Sequence, residues 1–90
     1  MSEKLSKETV IVNALGLHAR PAAKIAATAQ NAKHNVWMIK NDEEADAKSI
    51  IDMLTLACPK GTEITIKISS SSDAEVLDAI INLIENGFGE

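Results

Sequence analysis

Apolar residues recur every three or four positions in three parts of the chain, over residues 22–30, 50–57 and 73–86. This spacing lies along one face of an α-helix, so it predicts three amphipathic helices. Pro59 follows the second run and Gly87 the third, and both are residue types that end helices. The apolar faces consist of Ala22, Ile25, Ala26 and Ala29, then Ile50, Ile51, Met53, Leu54 and Ala57, then Val76, Leu77, Ile80, Ile81 and Ile84.

Four shorter stretches have the pattern of β-strands. Apolar and polar residues alternate over residues 64–69, which predicts a strand with one face inward and one in water. Residues 9–13 and 35–40 are rich in β-branched or apolar residues, which favour strands. Residues 44–48 follow the turn-forming segment 41–43 and are charged, so they are predicted to return as a hairpin strand at a sheet edge.

The element order is β-α-β-β-α-β-α, and it predicts an α+β fold in which helices cover one face of a single sheet. Two serine-to-acid spacings, Ser49 with Asp52 and Ser72 with Glu75, are typical of capping pairs. We therefore expect Ser49 and Ser72 to act as the N-caps of the second and third helices.

Length and composition indicate one small domain. Ninety residues, 46% of them hydrophobic, suit a single core over residues 1–90, with residues 1–7 polar and frayed. The net charge of −4 argues against a nucleic-acid partner, as does the lack of a basic or aromatic cluster. The single Cys58 can form no internal disulfide, and no pattern of Cys and His indicates a metal site or a cofactor.

The sequence also predicts the cellular location of the protein. The first nine residues have no apolar segment typical of a signal peptide. No apolar run approaches the roughly 20 residues that a membrane-spanning helix needs. We therefore expect a cytoplasmic protein with no membrane insertion.

Candidate chemistry lies between the first strand and the first helix, in the segment Gly16–Pro21. Pro21 is tolerated in the first turn of a helix, so the helix is predicted to begin beside His18. The amides at a helix N-terminus suit an anion, and a neutral imidazole is a nucleophile that can accept a phosphoryl group. Arg20 can clamp phosphate oxygens, and Gly16 allows a close backbone approach. On these residues alone, an ordinary polar role near a helix end explains His18 about as well.

The stretch Gly16–Ala22 resembles the signature of the HPr family, the histidine phosphocarriers of the bacterial phosphoenolpyruvate-dependent phosphotransferase system. Residues 45–51 and 60–64 resemble the family's second motif and the strand after it, and the resemblance extends from about Thr9 to the C-terminus. It implies an open-faced sandwich, in which a four-stranded antiparallel sheet carries three helices on one face.

The resemblance also implies a role for each residue of the first motif. His18 matches the phosphorylated histidine, which receives its phosphoryl group from Enzyme I and passes it to an EIIA-type acceptor. Arg20 matches the arginine that assists it, and Gly16, Ala19 and Pro21 match the turn that holds the phosphate. The implied protein is a monomeric phosphoryl carrier rather than a stand-alone enzyme.

Further positions bear on regulation and docking. Ser49 matches the serine that HPr kinase/phosphorylase modifies in many bacteria, although a plain N-cap explains Ser49 equally well. Ile50 and Ile51 match positions at which partner proteins dock, and Lys24 adds positive charge for docking one turn beyond Arg20. Because Ile50 and Ile51 are adjacent on a helix, we expect core packing to claim one of them.

Three alternatives remain open from the sequence. Leu15 and residues 86–90 look more like the nitrogen-related NPr branch, whose acceptor is a regulatory EIIA rather than a sugar permease. A purely regulatory module acting through Ser49 is a second alternative. A small-ligand-binding domain is a third, and it requires a preformed pocket where the sequence offers a surface turn.

Overall fold

The computed structural model describes residues 5–90, which form one sheet and a layer of helices. The strands and helices, in chain order, are β1 (Ser6–Val10), α1 (Ala19–Ala29), β2 (Val36–Lys40), β3 (Glu43–Asp46), α2 (Ile50–Leu54), β4 (Glu63–Ile68) and α3 (Ala74–Glu85). Short 3-10 turns at Ser71–Asp73 and Gly87–Gly89 precede and follow α3. Within the described residues, no helix is long and apolar enough to cross a membrane.

The sheet has four strands in the order β1-β4-β2-β3, and every neighbouring pair is antiparallel. Ile66 of β4 lies opposite Lys7 of β1 on one side and Met38 of β2 on the other. The acidic β3 lies at a sheet edge, as its charge predicted. The α+β fold and the antiparallel four-stranded sheet with three helices are confirmed.

The core lies between the sheet and the helices. Alternation along β2 and β4 turns Val36, Met38, Ile64, Ile66 and Ile68 toward the helices, where they are buried. The alanine-rich face of α1 is buried as predicted, and small side chains let the helix lie close to its neighbours. Leu77, Ile80, Ile81 and Ile84 of α3 complete this layer.

The first and third strands differ from the sequence prediction. The first strand covers Ser6–Val10 rather than residues 9–13, because pairing with β4 decides its register. Ser6 and Lys7, predicted to be frayed, are therefore in the sheet, while residues 1–4 of that segment lie outside the described residues. The third strand ends at Asp46, two residues before the predicted boundary.

The predicted end of the second helix was also wrong. The helix stops at Leu54, because Lys40 Nζ donates to the carbonyls of Leu56 and Ala57 at 2.9 and 2.7 Å, and Ala57 takes a positive φ of 54°. A lysine from β2 thus satisfies the carbonyls that another helical turn would use.

Ser72 does not cap α3. The hydroxyl of Ser70 instead accepts from the Ser72 amide and begins the 3-10 turn. The neighbouring Asp73 is buried, and its carboxylate accepts from the backbone N–H groups of Lys33 and His34, both at 2.9 Å. These bonds hold the pKa of Asp73 below its ordinary value. Tertiary bonds to the loop before β2 therefore replaced the local cap that the spacing predicted.

Candidate functional site

The loop between β1 and α1 contains a tight turn over residues 13–18, the His18 turn. Gly16 has a φ of +68°, and a Cβ built there would lie 2.6 Å from the Cys58 carbonyl oxygen and 2.8 Å from Pro59 Cα. The Leu17 amide donates to the same Cys58 carbonyl at 2.8 Å. Glycine is therefore required at residue 16 for both its conformation and its closeness to the strand connection before β4.

His18 is the N-cap residue of α1, at the place that Pro21 predicted. Its backbone is extended, and its carbonyl accepts the Ala22 amide at 3.0 Å, the first bond of the helix. The imidazole makes no capping hydrogen bond, and the side chain is 36% exposed. The ring is therefore presented at the surface and is not used to stabilise the helix.

The first turn of α1 leaves its amides open to an anion. Among the described residues, the Ala19 and Arg20 amides have no hydrogen-bond partner, and Pro21 has no N–H to offer. No acidic side chain occupies this first turn. Two amides and the positive end of the helix dipole thus lie directly beside the imidazole.

Glu90 contacts the imidazole from the opposite end of the sequence. Its carboxylate oxygens lie 3.3 and 3.2 Å from His18 Nε2, and Asn13 Nδ2 donates to it at 3.1 Å. Burial alone would raise the pKa of the Glu90 carboxyl, but the bonds from His18 and Asn13 and the charge of Arg20 outweigh burial. The pKa therefore lies below its ordinary value.

Sequence reasoning missed both Glu90 and Asn13. An asparagine that opens a turn is a recognised local signal, and its side chain here donates to the Gly16 carbonyl at 2.7 Å. Glu90 has no such signal, because only the tertiary fold brings it to His18.

Lys24 fixes the segment that carries Glu90. Its Nζ donates to the Phe88 carbonyl at 2.6 Å, while the Phe88 side chain is 2% exposed in the core. Lys24 and Arg20 line an open cavity of about 700 Å³ together with His18 and Glu90. The structure thus brings the predicted His18, Arg20 and Lys24 together at one surface.

The second motif forms a separate surface on α2. Ser49 is the N-cap as predicted, since its Oγ accepts the Asp52 amide at 3.2 Å. Asp52 does not return the bond in a capping box, because its carboxylate accepts the Asp46 amide at 2.7 Å instead.

Neither Ile50 nor Ile51 enters the core, which corrects the expectation that one of them would. Ile50 is 38% exposed and Ile51 78% exposed, while Met53 is the fully buried α2 side chain. A helix of five residues presents little more than one side chain inward, and Met53 takes that place. Ile50, Ile51 and the 37% exposed Leu54 form an exposed surface that we call the α2 patch.

Comparison with known proteins shows which family the chain is related to. The family profile described as "PTS HPr component phosphorylation site" matches residues 5–86. The phosphocarrier protein HPr of Neisseria meningitidis is 41% identical over 86 residues, which cover 96% of this chain and 97% of that protein. The phosphocarrier protein NPr of Escherichia coli is 41% identical over 87 residues, with 93% and 96% covered.

A solved structure agrees with these sequences. The crystal structure of an HPr from Thermoanaerobacter tengcongensis superposes with a TM-score of 0.88 at 33% identity, over 94% of this chain and 96% of that one. The fold, the profile and the curated relatives therefore lead to one conclusion. The chain belongs to the HPr family, the phosphocarriers of the phosphotransferase system.

Proposed function

We propose that His18 accepts a phosphoryl group from phosphoenolpyruvate-charged Enzyme I and passes it to an EIIA-type protein in the cytoplasm. The observation that carries this proposal is the exposed imidazole at the N-terminus of α1, beside the unpartnered amides of Ala19 and Arg20. A nucleophile next to ready-made anion donors is the arrangement that phosphoryl transfer needs.

In this proposal the rest of the first motif holds the phosphoryl oxygens. The Ala19 and Arg20 amides bind one side of the group, and the exposed Arg20 guanidinium neutralises its charge. Gly16 and Pro21 act through the backbone, because one sets the turn and the other the start of the helix.

The exposure of the site supports transfer between proteins. The cavity beside His18 is open, so a donor and an acceptor can each approach the ring in turn. A deep pocket would suit a small ligand better, and the surface position of His18 therefore favours the carrier over the ligand-binding alternative.

The α2 patch is the proposed docking surface for Enzyme I and the EIIA-type acceptor. Ile50, Ile51 and Leu54 are exposed, and apolar side chains of this kind carry binding energy when a partner covers them. Leu15, 76% exposed on the wall of the cavity beside His18, offers a further apolar side chain to a partner near the ring. Lys24 contributes charge, but its ammonium group already binds the Phe88 carbonyl.

Phosphorylation of Ser49 by HPr kinase/phosphorylase is a proposed regulatory step. Ser49 is half-buried and its hydroxyl caps α2, and the carboxylate of Asp52 lies in the same turn. A phosphate there would repel that carboxylate and displace the cap. The predicted consequence is a disturbed α2 patch and weaker docking.

The nitrogen-related relay is the second candidate for the acceptor branch. Relatives of both branches are 41% identical to this chain. Leu15 and residues 86–90 favour the nitrogen-related branch, and Leu15 is exposed where an acceptor protein would contact it. Transfer rates to a regulatory EIIA and to a sugar-specific EIIA would decide between the two.

The decisive experiment is an intact-mass spectrum after incubation with Enzyme I and phosphoenolpyruvate. The wild-type chain is expected to gain one acid-labile phosphoryl group, and H18A none. His34, the other of the two histidines, is exposed in a loop, so H34A is the matched control and should gain the group normally. Full labelling of H18A, or loss of labelling in H34A, would contradict the proposal.

A further inference from the structure

The segment of residues 56–59, after α2, packs against the His18 turn. The Cys58 carbonyl accepts the Leu17 amide at 2.8 Å, and a Cβ built on Gly16 would lie 2.6 Å from the same oxygen. Leu17 immediately precedes His18 in the chain, so the position of this carbonyl sets where the backbone of the histidine begins. The segment is therefore part of the support of the candidate site, although it lies outside both motifs.

Two anchors hold this segment, one at each end. At the end toward β4, the amide and the hydroxyl of Thr62 donate to the Pro59 carbonyl at 3.1 and 2.7 Å. At the end toward α2, Lys40 Nζ donates to the carbonyls of Leu56 and Ala57 at 2.9 and 2.7 Å. The bonds from Thr62 are local in the sequence, whereas those from Lys40 join the segment to the sheet.

The backbone of Ala57 shows why the second anchor is needed. Ala57 has a φ of +54°, a left-handed conformation that a residue with a Cβ seldom adopts. Because Ala57 is exposed, packing of its side chain contributes little to holding that conformation. Strain of this kind persists only where the surrounding contacts determine it, and here the Lys40 ammonium group binds the carbonyl of the strained residue.

The sheet places Lys40 for this task. The residue ends β2, a central strand, opposite Glu43 of β3, and it is half-buried. Among the described residues its ammonium group forms no ion pair with a carboxylate, so its donors serve backbone carbonyls. Its charge also reaches the buried Cys58, where it partly offsets the rise in the thiol pKa that burial causes.

We propose that Lys40 is a positioning residue for His18. It holds Ala57 in its left-handed conformation, and this keeps the Cys58 carbonyl where it accepts the Leu17 amide. The proposal rests on the function proposed above and adds a residue that neither motif contains. The two bonds from Lys40 go to backbone carbonyls, so it acts on the imidazole only through the chain. Because small displacements of a reacting group slow its reaction strongly, loss of this anchor should slow phosphoryl transfer.

The first test follows the Leu17 amide in the unphosphorylated protein. K40M keeps the length of the side chain but removes its donors, so the Cys58 carbonyl should move away from that amide. Hydrogen exchange measured by NMR should show the rate at Leu17 rising about fivefold relative to that of Ile66, a reference amide in the central strand β4. K67M, which removes an exposed lysine of β4, is the matched control and should leave this ratio unchanged. An unchanged ratio in K40M, or an equal rise in K67M, would overturn the proposal.

The second test measures phosphoryl transfer from Enzyme I with the same two variants. In K40M the maximal rate should fall about tenfold with KM unchanged, because the imidazole is displaced while the exposed α2 patch remains. K67M should match the wild type. A normal maximal rate in K40M, or a rise in KM alone, would reject the role.

A rescue experiment separates positioning from a general loss of stability. Glycine takes a positive φ without strain, so A57G should restore most of the maximal rate when it is combined with K40M. No recovery in the double variant would show that Lys40 does not act through Ala57, and would overturn the proposal. If the wild-type chain gains no phosphoryl group at His18, the proposed function fails. The exchange rate at Leu17 would still decide whether Lys40 holds the His18 turn.

Discussion

The His18 turn and the α2 patch differ in how the fold uses their residues. In the turn, Gly16 is packed against the Cys58–Pro59 backbone and Asn13 ties the loop to Glu90, so the contacts fix one imidazole. On α2, Ser49 caps one end and Lys40 binds the carbonyls beyond the other, while Ile51 is left 78% exposed. In the proposed function, backbone geometry serves the chemistry of the first region, and exposed side chains serve partner recognition in the second. Substitutions in the His18 turn should therefore change both the stability of the fold and phosphoryl transfer. Substitutions of the exposed side chains of the α2 patch should change phosphoryl transfer alone.

The largest effect is expected from adding a methyl group at Gly16. G16A places a Cβ within 2.6 Å of a carbonyl oxygen at a φ of +68°, so the turn must move. We expect a loss of about 2–4 kcal/mol in the free energy of unfolding and a large fall in phosphoryl acceptance. Urea denaturation and intact-mass labelling measure both.

G61A is the matched control for that substitution. Gly61 also has a positive φ, +92°, but a Cβ there meets nothing within 4 Å. G61A should lower the free energy of unfolding by only about 1 kcal/mol, through backbone strain, and should accept the phosphoryl group normally. Equal stability loss in the two variants would show that the contact with Cys58 and Pro59 has no importance.

The second effect concerns the α2 patch and should leave stability alone. I51S removes an exposed apolar side chain, so the free energy of unfolding should change by no more than about 0.5 kcal/mol. The rate of phosphoryl transfer from Enzyme I, measured at subsaturating concentrations of this chain, should fall about tenfold because docking is weaker. The maximal rate should be retained. V10S, on the exposed part of β1, is the control and should transfer normally. A normal transfer rate in I51S would remove α2 from the proposed interface.

These two regions also show what the sequence could and could not predict. Pro21 and Gly16 act through local backbone geometry, so the start of α1 and the turn before it were predictable. The apolar spacing predicted the buried faces of α1 and α3, because burial there follows helix periodicity. Three other features depend on groups distant in sequence. They are the early end of α2, the contact of Glu90 with His18, and the hydrogen bonds that Asp73 accepts from two backbone amides. No local pattern carries such information.

The third effect is a modest loss at the cap of α2. S49A removes the hydroxyl that accepts the Asp52 amide, and we expect a loss of about 1 kcal/mol in the free energy of unfolding. The maximal transfer rate should stay unchanged, because the His18 turn does not depend on that cap. S49T, which keeps an acceptor oxygen, is the control and should recover most of the stability. A drop in the maximal rate of S49A would show that the two regions are coupled.

The smallest effect is a pH dependence at the His18 turn. The pKa of Glu90 is lower in the folded chain than its ordinary value, so its bonds stabilise the fold fully above the ordinary carboxyl range. That contribution is lost as the pH falls through the lowered pKa, because the protonated carboxyl no longer attracts His18 and Arg20. The stability difference between wild type and E90Q should therefore shrink on acidification, as followed by urea denaturation from neutral pH downward. The difference between wild type and S49A rests on a hydroxyl that does not titrate there, so it should stay constant over the same range. An E90Q difference that stays equally constant would mean that the carboxylate charge contributes nothing to holding the turn, and the two regions would no longer differ in this respect.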